Sequence, residues 1–215
     1  MDSLLISIIT YKRPDMCRRL VDLTRYETDA DINVFHDGGG LPYYHVDALQ
    51  FTLHKPPGHR HFAETWDHVL DSCRKSDADT FVFLPDDVTP AVTNPVERML
   101  SHLEHCDVIV PLVDGRGRGP CWVPVDPVDE RERWLTHWVD GCFACSRDVL
   151  EALSWRVPHI PAEHFSTNAS SGVGKYMSLA LWRSGLRVCQ VSDTLYEHGE
   201  HDSQMHYDER KRNPL

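Results

Sequence analysis

Long apolar runs are missing from this chain. None of its 215 residues fall into a stretch near the roughly 18–20 apolar residues that crossing a bilayer needs, so no membrane partner is expected. The longest apolar run near the N-terminus, residues 4–9, is short and has no basic segment before it, so it does not read as a signal peptide. A soluble, cytoplasmic protein is the expectation. Basic residues are scarce as well: 22 Lys and Arg face 33 Asp and Glu, a formal net charge of −11. That balance argues against sequence-independent binding along a nucleic-acid backbone, which needs clustered cations. No Gly/Ser linker or low-complexity run divides the chain, so residues 1–215 read as one domain. Seven cysteines, an odd number scattered through the chain, suit reduced thiols better than a disulfide framework.

What is present is an alternation of strand and helix signals. "SLLISIIT" (residues 3–10) is rich in Ile and Leu and reads as a buried strand. Residues 14–25 have helical spacing at Met16, Leu20 and Leu23. Strands follow at 32–36 and 49–54. A helix over 59–75 places Phe62, Trp66, Val69 and Leu70 on one face. "TFVFLP" (80–85) is a fourth strand. Asn94-Pro95 reads as an N-cap and a first-turn proline opening a helix over 96–105. Strands at 107–113 and 136–146 come next, and Ser146 is placed to cap a helix. A last helix at 175–183 stops at Gly185, and a strand runs over 186–191. This order implies an α/β fold with a mixed, mainly parallel sheet flanked by helices. Such sheets bind ligands beyond the carboxyl ends of their strands. Asp37, Asp86 and Asp87 all stand at predicted strand ends of that kind.

Asp86 and Asp87 pose the sharpest question. Adjacent carboxylates at a strand end repel unless something positive lies beside them. Mg²⁺ or Mn²⁺ would answer that, taking oxygen ligands from Asp and from a diphosphate. An Asp-rich turn capping the next helix is the plainer alternative.

These motifs, in this order, resemble the GT-A-fold nucleotide-sugar glycosyltransferases of the family-2 type. The likeness runs from about Leu4 to His198. The first strand ends in Thr10-Tyr11-Lys12-Arg13-Pro14, similar to the loop "TYNRP" of that family. The second ends at Asp37, in the place of a nucleoside-contacting Asp. Pro85-Asp86-Asp87 stands where the family has its acidic motif, whose last Asp binds the metal. Asp140-Gly141-Cys142 falls in a segment that lies near the donor sugar. His198 stands where a C-terminal His completes the metal site. The resemblance implies that Thr10, Tyr11, Arg13, Asp37 and Asp86 hold the nucleotide, and that Asp87 and His198 hold Mn²⁺ or Mg²⁺. It implies a nucleotide-sugar donor, with UDP the expected carrier. The acceptor is left open among a glycan, a protein and a modified nucleobase.

One feature departs from the pattern. Many inverting members carry Glu-Asp before the helix corresponding to 175–183, but here no acidic residue lies between Glu163 and Asp193. Asp140 and Glu163 are the candidate bases in its place, with turn or cap carboxylates the plain alternative for each. A retaining reaction would need no such base.

Other motifs carry less. His198, His201 and His206 with Asp202 could instead hold a structural zinc. Cys142-Phe-Ala-Cys145 is a lone C-x-x-C, and on a strand its sulfurs face opposite ways, so both read as core thiols. "SGVGKY" fails as a P-loop, because Ala169 and Tyr176 occupy positions that require Gly and Ser/Thr. Arg116-Gly117-Arg118 reads as a solvated loop. The polar segment 195–215 reads as a C-terminal lid or tail. Two rival functions stand beside the glycosyltransferase. One is a sugar-nucleotide nucleotidyltransferase, disfavoured because no glycine follows the first strand. The other is a non-catalytic metal- or partner-binding domain of the same fold.

Overall fold

The computed structural model of the chain describes residues 3–10, 13–36, 52–54, 62–113, 123–124, 142–159 and 169–198. In chain order these form β1 (Leu4–Thr10), α1 (Pro14–Glu27), β2 (Asp31–His36), β3 (Thr52–His54), α2 (Phe62–Lys75), β4 (Thr80–Pro85) and β5 (Val88–Pro90). There follow α3 (Pro95–Leu100), β6 (Val108–Val113), β7 (Val123–Pro124), β8 (Phe143–Ser146), α4 (Arg147–Ala152), α5 (Ala169–Arg183) and β9 (Val188–His198). The strands build one sheet in the order β3-β2-β1-β4-β8-β6-β9-β5, with β7 on β9. β3, β2, β1 and β4 are mutually parallel, as are β6 and β9. β8 runs antiparallel between β4 and β6, and β5 and β7 run antiparallel to β9. The α/β class and the mixed, mainly parallel sheet agree with the sequence reading.

The central strands alternate between two cores, as a period of two requires. Leu5, Ile9, Phe81, Phe83, Phe143 and Cys145 face α2, α4 and α5. Ile6, Ile8, Val82, Leu84, Cys142 and Ala144 face α1 and α3. The first core is aromatic: Trp66 lies 5.3 Å from Phe83 and 5.9 Å from Phe143, ring centre to ring centre. Cys142 and Cys145 fall on opposite faces of the sheet, as expected, so they cannot act as a pair.

The topology fixes where a ligand can sit. From β1 the chain steps outward through β2 to β3, then returns through α2 to β4 on the other flank of β1. The order therefore reverses between β1 and β4, the kind of position at which open α/β sheets bind ligands beyond the carboxyl ends of their strands. Ile9 is in register with Pro85, and Thr10 with His36. The acid pair following Pro85 thus emerges beside the end of β1.

Several local readings change. The buried face of α1 is Cys17, Leu20, Val21 and Thr24, one position on from the Met16 and Leu23 stripe. Helix α3 ends at Leu100; beyond it the bonds tighten to three-residue spacing, as in His102 N–H to the Met99 carbonyl at 3.2 Å. Asn94 and Ser146 stand at N-cap positions, yet neither side chain caps its helix. Asn94 is left-handed (φ 53°) and its amide donates to Glu97 instead. Gly185 (φ 74°) ends α5 as expected. β9 continues to His198, so Leu195–His198 belong to the sheet; the rest of the expected lid lies outside the described residues. β5 and β7 were not anticipated, being three and two residues long.

The cysteine reading needs correction. Cys106 and Cys189 form a disulfide, with Cα atoms 6.1 Å apart. The pairing of β6 with β9 sets Ile109 against Cys189 and brings the two together across 83 residues of chain. Disulfides are rare in a reducing cytoplasm, so the expected location loses part of its footing. Cys17, Cys73, Cys142 and Cys145 are buried and outside the disulfide. Burial raises the Cys73 pKa to about 12, and raises those of Cys142 and Cys145 well above the ordinary thiol range. At pH 9 the Cys73 thiolate is then about one part in a thousand. Iodoacetamide at pH 9 should leave these three unlabelled in the native protein, and label them after denaturation. Thiol counts in denaturant should rise by two on reduction, read by mass spectrometry.

Candidate functional site

The site starts from two local facts. Strand β4 ends where apolar Leu84 gives way to Pro85 and the acid pair, which forms the turn into β5. Helix α1 starts at Pro14, whose missing N–H costs nothing in the first turn. That makes Arg13 the N-cap residue, with its carbonyl accepting from Cys17 N–H at 3.0 Å. Its side chain makes no cap bond and reaches across to the end of β4.

Arg13 bridges the pair. Its Nη2 lies 2.6 Å from Asp86 Oδ1, and its Nη1 donates to Asp87 Oδ2 at 3.0 Å. Thr10 Oγ1 donates to Asp86 Oδ2 at 2.7 Å, and the Asp86 N–H donates to the Ile9 carbonyl at 3.0 Å. Asp86 is 2% exposed and Asp87 6%, depths at which a carboxylate needs compensation. Arg13 Nε is buried and makes no hydrogen bond among the described residues. Asp87 also lies close enough to Cys142, at the start of β8, to add to the burial that raises that thiol's pKa.

Of the nine expected site residues, Thr10, Arg13, Asp86 and Asp87 are brought together. His198 enters through its backbone: it pairs with Val88, the residue after Asp87, although the two are 110 positions apart in the chain. Its side chain is not among those described. Tyr11, Asp37, Asp140 and Glu163 lie outside the described residues. Arg13, expected at the nucleotide, holds the acid pair in this structure. Opposite charges flanking the ends of two strands that pair are the signal that points to this.

The donor set suits a divalent cation in part. Hard carboxylate oxygens are what Mg²⁺ and Mn²⁺ take. Asp86 Oδ2 accepts from Thr10 and Oδ1 lies 2.6 Å from Arg13 Nη2, while Asp87 Oδ2 accepts from Arg13 Nη1. The acid pair as a whole offers the oxygen donors such a cation takes, with one arginine already beside it. Among the described residues, no group of three or more His, Cys, Asp or Glu side chains gathers as a ready metal centre.

No family model matches the chain, and no curated protein matches it in sequence. Solved structures do. TarS of S. aureus overlays at TM-score 0.63 with 12% identity, across 98% of this chain and 38% of that one. A mycobacterial protein overlays at 0.63 with 15% identity, across 95% and 70%. A protein from Desulfovibrio desulfuricans G20 described as a nucleotide-diphospho-sugar transferase overlays at 0.52 with 13% identity, across 92% and 82%. The chain thus spans little more than a third of TarS. The fold is GT-A-like, as the sequence resemblance implied.

The Thr10–Asp86 bond carries a prediction. Thr10→Val keeps the side chain's shape and removes the donor, leaving a buried carboxylate oxygen short of a partner. Stability should fall by about 1–3 kcal/mol. Urea unfolding of both forms measures this, and a loss below about 0.5 kcal/mol would show the hydroxyl to be dispensable.

Proposed function

We propose that this chain is a glycosyltransferase, moving a sugar from a nucleotide-diphosphate donor to an acceptor hydroxyl with Mn²⁺ or Mg²⁺ as cofactor. UDP is the proposed carrier. The reading rests chiefly on one observation: a buried acid pair stands beyond β4, beside the end of β1, at the point where the strand order reverses. The GT-A-like fold supports it, as does the description of the Desulfovibrio neighbour.

Each residue then has a task. Asp87 and His198 would hold the cation, and Thr10, Tyr11, Arg13, Asp37 and Asp86 would line the nucleotide. Bound there, the cation would supply Lewis acidity toward the leaving diphosphate. Arg13 would add a fixed positive charge where negative charge develops as the sugar–oxygen bond breaks. Thr10 and the Ile9 carbonyl hold Asp86 in place, so little reorganisation is needed when the donor arrives. Asp140, two positions before Cys142 in sequence, or Glu163 would take the acceptor proton if the reaction inverts. The acceptor, whether glycan, protein or modified nucleobase, stays open. No described helix is long and apolar enough to cross a membrane.

Asp87→Asn removes a charged ligand while leaving Asp86 bound to Thr10 and Arg13. Titration of UDP with Mn²⁺ should show at least a tenfold loss of affinity, about 1.4 kcal/mol. Equal affinities would remove Asp87 from the metal site. The base is tested separately. Proton NMR of the product anomer comes first, and an inverted product assigns a base. Asp140→Asn or Glu163→Gln should then lower kcat by about a hundredfold or more, with little change in donor affinity. A retained anomer would leave neither residue that role.

A further inference from the structure

We infer that one buried water molecule joins the Tyr196 hydroxyl to the Glu27 carboxylate, and so ties β9 to the C-terminal end of α1. The observation behind it is a donor and an acceptor that are both buried and both without a partner. Tyr196 is 1% exposed, and its hydroxyl makes no hydrogen bond among the described residues. Glu27 is the last residue of α1. Its Oε1 accepts from the Asn94 N–H at 3.2 Å, while its Oε2 is buried and has no hydrogen bond among the described residues. A polar group buried without a partner is costly, and native proteins satisfy nearly all of theirs.

The fold brings these two groups to one place. α1 packs against β5, and Pro90 of β5 pairs with Tyr196 of β9. The turn after β5 carries Asn94, which already donates to Glu27. Tyr196 also feels the Glu27 charge: burial raises the phenol's pKa well above its ordinary value, and the charges of Cys142 and Glu27 raise it further. The phenol therefore keeps its proton and stays a donor. Glu27 needs such a donor. It lies in the last turn of α1, where the negative end of the helix dipole disfavours a carboxylate. The two groups do not bond each other directly, so a third must stand between them. Water has the right chemistry, because it accepts from the phenol and donates to the carboxylate at once. Cys142, also fully buried, is a further polar group in the same core as Tyr196. The link fixes α1 at the end opposite Arg13, and it joins the helix to the strand whose last residue pairs with Val88. It involves neither cation nor nucleotide, so it stands whatever the site binds.

The first test is a high-resolution crystal structure of the wild-type full chain without added ligand. One ordered water should lie within hydrogen-bond distance of both Tyr196 Oη and Glu27 Oε2. A direct bond between the two side chains, or no water shared by them, overturns the inference. Stability is the second measure. Tyr196→Phe keeps the ring and removes one of the water's two partners. In urea its unfolding constant should rise about tenfold over wild type, the size of one hydrogen bond lost at a buried site. In a Glu27→Met background the same change should raise it by no more than about twofold, because the other partner is already gone. A folded Tyr196→Phe as stable as wild type, or an equal loss in both backgrounds, shows that the hydroxyl is not linked to Glu27 and overturns the inference as well. The crystal structure needs no variant to fold, so it decides the matter if Tyr196→Phe does not.

Discussion

One guanidinium between two buried carboxylates is the interaction on which the rest of the site depends. At an effective dielectric constant of about 20, unit charges about 4 Å apart interact by about 4 kcal/mol. Arg13 makes two such attractions, set against the one repulsion between Asp86 and Asp87. The trio is therefore favourable as a set, and the arginine supplies the compensation that carboxylates at this depth need. Three elements must meet to build it: the end of β1 for Thr10, the start of α1 for Arg13, and the turn after β4 for the acids. The parallel register of β1 with β4 makes that meeting possible, because it brings both carboxyl ends to the same level.

The two cores explain why this edge can hold its shape. Each central strand is clamped on both faces, by aromatic packing against α2, α4 and α5 and by aliphatic packing against α1 and α3. α1 has a double task. Cys17, Leu20 and Val21 fix the helix against the sheet, and this fixes the direction from which Arg13, at its N-cap, reaches Asp86. A helix start without a side-chain cap is a local loss, typically about 1 kcal/mol against a good cap. Here the side chain that could have been a capping residue is an arginine used elsewhere. Local propensity gives way to the site, as it often does where function is concentrated.

Much of this was legible from the residues. β4 was readable to its ends because Asp79 and Asp86 bracket a stretch that holds four consecutive apolar residues, Phe81 to Leu84, and β1 because Ile and Leu fill it. The acid pair was recognisable because two adjacent charges at the end of such a run demand a positive partner. The identity of that partner was not. Whether Arg13 faces a ligand or the acids depends on the register of β1 against β4, which is set 70 or more residues away in the chain. The same holds for the Cys106–Cys189 pair, which exists because β6 and β9 are neighbours. β5 and β7 carry no periodicity of their own, and they are strands only because β9 offers each an edge to pair with. The buried face of α1 was misplaced by one position because a Met and a Leu outweigh a Cys and a Thr on any hydrophobic scale. Packing selected the continuous stripe of Cys17, Leu20, Val21 and Thr24 instead.

β9 shows how distant parts of the chain come to share one site. Its first residues lie beside β6, where the disulfide ties Cys189 to Cys106, and its last residues pair with β5. An extended strand is stiff over this length, so fixing its start also constrains its end. The chain is held at both places, and the backbone of His198 is set against Val88 by the ladder itself. Metal sites read from sequence tend to rely on ligands a few positions apart on one element, as in zinc motifs. Here Asp87 and His198, the two ligands proposed, are 111 positions apart in the chain, and the nearness of their backbones is a property of strand order. Two residues delivered this way are only as well placed relative to each other as the strands that carry them. The cost of mispairing β5 with β9 would therefore appear first at the site, before it appeared in the stability of the sheet.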